Sequence, residues 1–462
     1  MELRGTAVEL VRGLYEPGDP IRTFLNAYVL CQSRVDDVIG SLKPEEGDLE
    51  YGAKAGEFRE LLGNDAPVSQ FRDALEARSE PEALLRAVAL LTALAGHIAV
   101  RHGTRLSSYT EPYRSSSAFG GQPFWLAVRR RGLLHRTIRK LPRDSTHLHP
   151  ALPRYHEPLI VTPAELNGWA LRRVRQDAQL ENFFEQRAQG AGLRIAVSSL
   201  SGEAEIRGCS TRREHPRPHD AFHIESIEPA EKHKAVVQKI LEDAYSKQVA
   251  ILVLPELRMP PQLIDGSRMF LRAQRVTATH GLLLVAAGSW HVSENGRLYN
   301  RCTVLNHIGD TLWTHDKLRE YEVTPGNVAG APELFAQCGV GPDGGVEAIA
   351  RGRSLEFYDS LAARFAAAIC VGFFSPELMP LLRASGANAF LVPAMTPSMA
   401  DIEKCSDALV RTQHAFTLAA NCGRVGASAP SFCRWPAATQ SDGNLRRLNP
   451  GESLLVVDLN DL

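Results

Sequence analysis

Apolar positions in the first 188 residues recur at helical spacing, with Ala, Leu, Arg and Glu abundant and few β-branched runs. Residues three and four apart share one face of a helix, so the pattern predicts helices over 6–14, 21–39, 67–77, 81–101 and 163–189, several separated by Pro-containing turns. The stretch 107–123, holding Ser115, Ser116, Ser117, Gly120 and Gly121, reads as a long loop. From Leu193 the texture changes to short apolar runs alternating with amphipathic stretches, an α/β pattern. A boundary near 190–192 then divides the chain into a helical domain, 1–188, and an α/β domain, 192–462.

Within the second domain LRIAVSSL reads as a first strand, and 231–247 as a helix with Val236, Val237, Ile240, Leu241 and Ala244 on one face. The run VAILVLP reads as a buried strand that ends at Glu256. GLLLVAAGSWHV and LYNRCTVLNH form a hairpin through Glu294, Asn295 and Gly296, and a turn around Gly309 leads into TLWTHDK. Lys317 then emerges at the same sheet edge as Glu256, and the run AAAIC delivers Cys370 to a Gly-, Ser- and Pro-rich turn. An acid, an amine and a thiol at three strand ends are the parts of acyl transfer through a thioester: a base, a cation for the oxyanion, and a nucleophile.

The whole-chain figures limit the rest. With 462 residues, 44% hydrophobic and 23% charged, the chain suits a soluble protein of two or three domains. A net charge of −1 excludes a surface built throughout for nucleic acid but allows a local basic patch. Segment 125–143 is such a patch, with Arg129, Arg130, Arg131, Arg136, Arg139, Lys140 and Arg143 beside Phe124 and Trp125. The expected reading is a solvated face or docking surface, with a protein or polyanion contact as its functional alternative. Eight scattered cysteines without a Cys-x-x-Cys pair suit free thiols in a reducing compartment. The start MELRGTAVELVRG resembles no secretory or transit signal, so a cytoplasmic location is expected. The apolar segment 83–100 is interrupted by Arg86 and His97 and reads as a buried helix rather than a membrane span.

Taken in order, the second-domain motifs resemble the carbon–nitrogen hydrolase (nitrilase) superfamily. Leu254-Pro255-Glu256-Leu257 matches its strand followed by Pro-Glu, and Tyr299-Asn300, Gly309 and Lys317 match its hairpin leading to a lysine. Ile369-Cys370, Pro376-Glu377, Gly386-Ala387 and Leu391-Val392-Pro393 match the cysteine motif, and Ala419-Ala420-Asn421, Gly423 and LLVVDL follow in order. The resemblance covers about 193–462 and implies a four-layer α-β-β-α sandwich, here carrying an N-terminal mainly α-helical domain, that commonly forms homo-oligomers. It also implies that Glu256 takes the proton of Cys370, that Lys317 and the backbone N–H of Val371 meet the oxyanion, and that a further glutamate steadies the lysine. Glu320 is preferred for that last place and Glu322 is the alternative.

Two departures bear on the substrate. Val371 and Gly372 follow the cysteine where many amidases of the family have an aromatic residue and an acid, and the nitrile-cleaving branch has Trp-Glu there. Thr412 and Gln413 stand where the family has Glu and Asn. The expected activity is therefore a cysteine-dependent amidase acting on a small linear amide, without cofactor or metal. The rivals are an acyltransferase using the same triad and a regulatory module with weak or no activity. Gly339, Gly341 and Gly344 spell G-x-G-x-x-G, but Pro342, Asp343 and Gly345 make a turn of it rather than a dinucleotide site. Cys209, His215, His219 and His223 are zinc-binding residue types, yet Pro216 and Pro218 break the segment and a polar loop is expected.

Overall fold

The computed structural model describes residues 3, 5–34, 47–106, 111–128, 159–189, 192–200, 205–213, 219–277, 279–422, 429–436 and 444–459. The basic run from Arg129 to Arg143, and His215, lie outside them. The chain divides into two compact units, and the second takes up the chain from Leu166.

In the first unit Thr6 caps α1 (Ala7–Val11) reciprocally with Glu9, and Asp19 caps α2 (Pro20–Ser33), whose Pro20 costs nothing where no N–H partner exists. Helices α3 (Gly47–Gly63) and α4 (Val68–Leu75) lead to α5 (Glu80–Leu106). Helix α5 is the axis of this unit: α1, α2, α3 and α4 all pack on it. By length and composition its span Glu80–His102 could cross a membrane, but 67% of its apolar window is buried inside the protein. Helix α3 lacks a strong apolar period and contains Gly52 and Gly56; burial of Ala55, Phe58 and Leu62 against α5 outweighs that weak local preference. Strands β1 (Tyr113–Arg114), β2 (Pro123–Val128) and β3 (Leu159–Pro163) form a small sheet, so the stretch taken as a loop is partly strand.

The helix expected over 163–189 is replaced. Strands β4 (Glu165–Leu166) and β5 (Trp169–Arg173) precede a shorter helix, α6 (Ala178–Gln189). The cause is Asn167-Gly168, whose φ values of 52° and 81° make a tight turn between the strands.

The second unit continues with β6 (Arg194–Ser198), β7 (Glu205–Arg213), β8 (His219–Glu228), α7 (Ala230–Ser246), β9 (Ile251–Val253), α8 (Pro261–Ala273), β10 (Leu284–Glu294), β11 (Arg297–Asn306) and β12 (Thr311–Asp316). Then come β13 (Glu322–Val323), α9 (Pro325–Gly330), α10 (Pro332–Gln337), β14 (Gly345–Glu347), β15 (Ser354–Asp359), β16 (Arg364–Ala367), α11 (Val371–Phe374) and α12 (Met379–Ala384). Strand β17 (Ala389–Ala394), α13 (Ala400–Gln413), β18 (Phe416–Asn421), β19 (Phe432–Trp435), β20 (Asn444–Arg447) and β21 (Leu454–Asp458) complete it.

Three sheets result, ordered β12-β11-β10-β9-β6-β21, β20-β19-β18-β17-β16-β15-β5-β4 and β13-β14-β8-β7. The first two touch face to face through β12 and β15, β6 and β18, and β10 and β17. Central strands β6, β9 and β10 pair in parallel, as do β16, β17 and β18, and strands covered on both faces carry the continuous apolar runs seen in the sequence. Helices α7 and α8 bury Val237, Ile240, Leu241, Leu263 and Ile264 in one cluster with Leu252 and Val285 of the first sheet and Leu254 just past β9. The G-x-G-x-x-G segment opens no helix and lies in the turns between α10 and β14.

The expected polar loop around Cys209 and His223 is instead a long hairpin, β7 paired antiparallel with β8. Its prolines fall between the strands, and Ile206, Phe222, Ile224 and Ile227 bury one face, an alternation masked in the sequence by the polar residues between them.

Candidate active site

Glu256 and Cys370 meet at the end of β17. The Glu256 N–H donates to the Ala394 carbonyl at 3.2 Å and the Cys370 N–H to the Pro393 carbonyl at 2.9 Å, so two adjacent carbonyls hold two loops from different sheets. Both loops bend sharply. Leu257 and Cys370 have φ values of 54° and 44°, a left-handed region that non-glycine residues occupy at a cost of about 1–3 kcal/mol. Beneath the first bend Gly288 is obligatory, because a Cβ there would stand 2.2 Å from the Pro255 carbonyl oxygen. Asn421 fixes the neighbouring chain: its Oδ1 accepts from the Thr396 N–H at 3.0 Å, and its Nδ2 donates to the Thr396 and Ala429 carbonyls at 2.9 and 2.8 Å.

Lys317 reaches the same point from the end of β12. Its N–H donates to the Asn300 carbonyl at 2.8 Å, and its Nζ lies 2.7 Å from Glu256 Oε1 and 2.7 Å from Glu347 Oε2. All three side chains are 1–2% exposed. Asn300 Nδ2 bridges the carboxylates, donating to Glu256 Oε1 at 2.9 Å and Glu347 Oε1 at 2.7 Å. His291 Nδ1 accepts from the Ile224 N–H at 2.8 Å, so its Nε2 carries the proton and donates to Glu347 Oε1 at 3.0 Å. The Tyr321 N–H adds a bond to Glu347 Oε2 at 3.1 Å.

Charge follows from this wiring. Burial works against an ionised Glu347, but Lys317 and His291 outweigh it and hold the carboxyl well below its usual range. Burial likewise opposes a charged Lys317, and Glu256 and Glu347 reverse that, keeping it an ammonium. Burial, then the Glu256 charge, push the Cys370 thiol far up; Lys317 and the Met395 N–H offset only part. Cys370 therefore rests as a thiol, hydrogen-bonded to Glu256. The Tyr321 ring, 5.9 Å from Lys317 Nζ, has its hydroxyl pushed up to about 12 by burial first and remains a phenol.

A buried thiol bonded to a carboxylate, beside an ammonium held by two, is an arrangement able to move one proton and stabilise one negative charge. Residues 227–429 match the model of the carbon-nitrogen hydrolase family. The C-terminal domain is a carbon-nitrogen hydrolase domain.

Solved structures similar to it include a Cys-to-Ala mutant of the Nesterenkonia AN1 amidase from the nitrilase superfamily (17% identity, 59% of this chain and 95% of that chain, TM-score 0.38). Saccharomyces cerevisiae Nit3, of branch 10 of that superfamily, is similar at 13% identity over 58% of this chain and 90% of that one, with a TM-score of 0.35. The glutamine-dependent NAD+ synthetase of Acinetobacter baumannii aligns at 14% identity over 57% and 45%, with a TM-score of 0.38. No curated protein matches the chain.

In this carbon-nitrogen hydrolase domain Glu256, Lys317 and Cys370 come together, and Val371 opens α11, where its N–H has no carbonyl one turn back within the helix. Glu320 does not join them. It pairs with Arg351 at the surface, and Glu322 is exposed on β13; the second carboxylate on the lysine is Glu347. Three polar groups were thus missed or misread: Glu347, His291, and Asn300, seen only as a motif landmark. Arg319 joins two loops of the site, donating to Ser375 Oγ at 2.8 Å.

Proposed function

We propose that the domain hydrolyses a small linear amide through a thioester on Cys370. The observation that carries this reading is the inequality of the two carboxylates. Glu347 accepts from four donors, whereas Glu256 accepts from three, Lys317, Asn300 and the Met395 N–H at 2.9 Å, and keeps a lone pair for the thiol. Glu256 is the base and Glu347 the fixed counter-charge.

In the first step Glu256 takes the Cys370 proton as sulfur bonds to the amide carbon, and the carbonyl π pair moves to oxygen, facing Lys317 and the Val371 N–H. As that pair returns, the C–N bond breaks and the protonated Glu256 gives its proton to the departing nitrogen, releasing ammonia or an amine. Water then enters; Glu256 takes its proton, hydroxide adds to the thioester, and collapse releases the acid and the cysteine sulfur, which recovers the proton. The low exposure of all three side chains suits a small substrate, and the absence of an aromatic residue and acid after the cysteine sets the pocket apart from common amidases.

The test is ammonia release from a panel of short aliphatic amides by the full chain and by Cys370→Ala. Turnover in the wild type that vanishes in a folded Cys370→Ala variant is expected; turnover that survives the substitution would overturn the assignment.

A further inference from the structure

The β7–β8 hairpin brings together three donors that play no part in the site above. Cys209 stands directly opposite His223 in the antiparallel register. The register slips between Arg207 and Gly208, a bulge that leaves Glu225 as the extra residue and turns its side chain toward the thiol. Gly208 permits the bend: a Cβ there would lie 2.6 Å from the Cys338 carbonyl oxygen and 2.7 Å from that of His223.

The three donor atoms form a small triangle. Cys209 Sγ is 3.6 Å from His223 Nε2 and 3.1 Å from Glu225 Oε1, and His223 Nε2 is 3.5 Å from Glu225 Oε1. A tetrahedral zinc holds sulfur at about 2.3 Å and nitrogen or oxygen at about 2.0–2.2 Å, which sets its ligand atoms roughly 3.3–3.6 Å apart. Two edges already have that length, and the 3.1 Å sulfur–oxygen edge, now a hydrogen bond, has to open by only a few tenths of an ångström, which a side-chain rotation of the exposed Glu225 supplies. Side chains of His223 and Glu225 are 32% and 57% exposed, so an ion can arrive from solvent and a water can fill a fourth position. Sulfur, imidazole and carboxylate together suit a borderline divalent ion and not magnesium or calcium, which take oxygen.

We propose that Cys209, His223 and Glu225 form a binding site for a zinc-like divalent ion, with the fourth position left to water. The site stands apart from the hydrolase reading and survives its failure. It lies beside the reactive cluster, since the His223 and His291 rings are 6.5 Å apart and Ile224, between the two strand ligands, donates to His291.

Cobalt(II) titration of the reduced, chelator-stripped full chain tests this. One equivalent should produce a near-ultraviolet sulfur-to-cobalt band that zinc abolishes. Cys370→Ala should keep the band, Cys209→Ser should lose it, and Glu225→Gln and His223→Ala should weaken cobalt binding at least about tenfold, the lower bound for groups that merely support a metal ligand. Circular dichroism confirms that each variant is folded. No band in the wild type, an undiminished band in Cys209→Ser, or a band lost in Cys370→Ala would each overturn the site.

Discussion

Glu256 and Glu347 flank one ammonium at the same distance, 2.7 Å, yet their surroundings fit them for opposite tasks. On the Glu347 side His291 of β10 and Asn300 of β11 donate to one oxygen, and Lys317 and the Tyr321 N–H to the other, so every oxygen is occupied twice. On the Glu256 side one oxygen has a single protein donor, a backbone N–H, and the carboxylate also takes the Cys370 thiol. Distance to a cation therefore says little about which buried carboxylate moves a proton. What separates them is the number of lone pairs already committed, and that difference is open to substitution.

The largest effects belong to the reactive side. Glu256→Gln should reduce amide turnover by about 10²–10⁴-fold, the usual worth of a positioned general base. The same variant should lower the pH midpoint of Cys370 alkylation, because it removes a charge that raises the thiol while leaving Lys317, which lowers it. Mass-spectrometric labelling rates against pH read this directly. A midpoint that stays put or rises would mean that Glu256 does not face the sulfur.

On the opposite side the cost should appear in stability. Glu347→Gln leaves Lys317 one carboxylate short in a dry site, a loss of about 3–5 kcal/mol by denaturant unfolding. Its pH dependence has a defined sign. Glu347 is held below its ordinary 4.5, so its contribution is complete above that pH and is lost as pH falls through the lower folded value. The gap between wild type and variant should therefore narrow in acid. Lys317, held above 10.5, adds stability that is complete below that pH and is lost as pH rises from there through the raised folded value. A gap that widened in acid would mean that Glu347 is neutral in the native protein. His291→Ala removes one donor to a charged acceptor and should cost about 1.5–3 kcal/mol, with a smaller fall in turnover than Glu256→Gln.

The two sides also differ in how the sequence displays them. Glu256, Lys317 and Cys370 each end a run that forms a strand, and period and turn chemistry suffice to find such positions. Glu347 ends a three-residue strand, 30 residues beyond the lysine, whose place is set by parallel pairing with β8. No local pattern encodes that pairing, so the nearer Glu320 drew the role. His291 lies in a stretch of β10 buried on both faces, where inward and outward positions are not told apart by alternation. The same blindness hid the hairpin of Cys209 and His223, since prolines between two strands look like prolines in a loop. Asn167-Gly168, by contrast, was a readable turn signal overridden by helical spacing on either side.

The smallest predicted effect tests the reassignment most cleanly. Glu320 pairs with Arg351, whose side chain is 54% exposed, and such surface pairs contribute about 0–1 kcal/mol. Glu320→Gln should thus leave turnover near wild type and shift stability by less than about 1 kcal/mol, while Glu347→Gln loses both. Measured side by side, the two variants distinguish carboxylates that are near in sequence from carboxylates that are near in space. A collapse of activity in Glu320→Gln with little change in Glu347→Gln would return the lysine's second partner to the β12–β13 loop and undo the division of labour between the two sides.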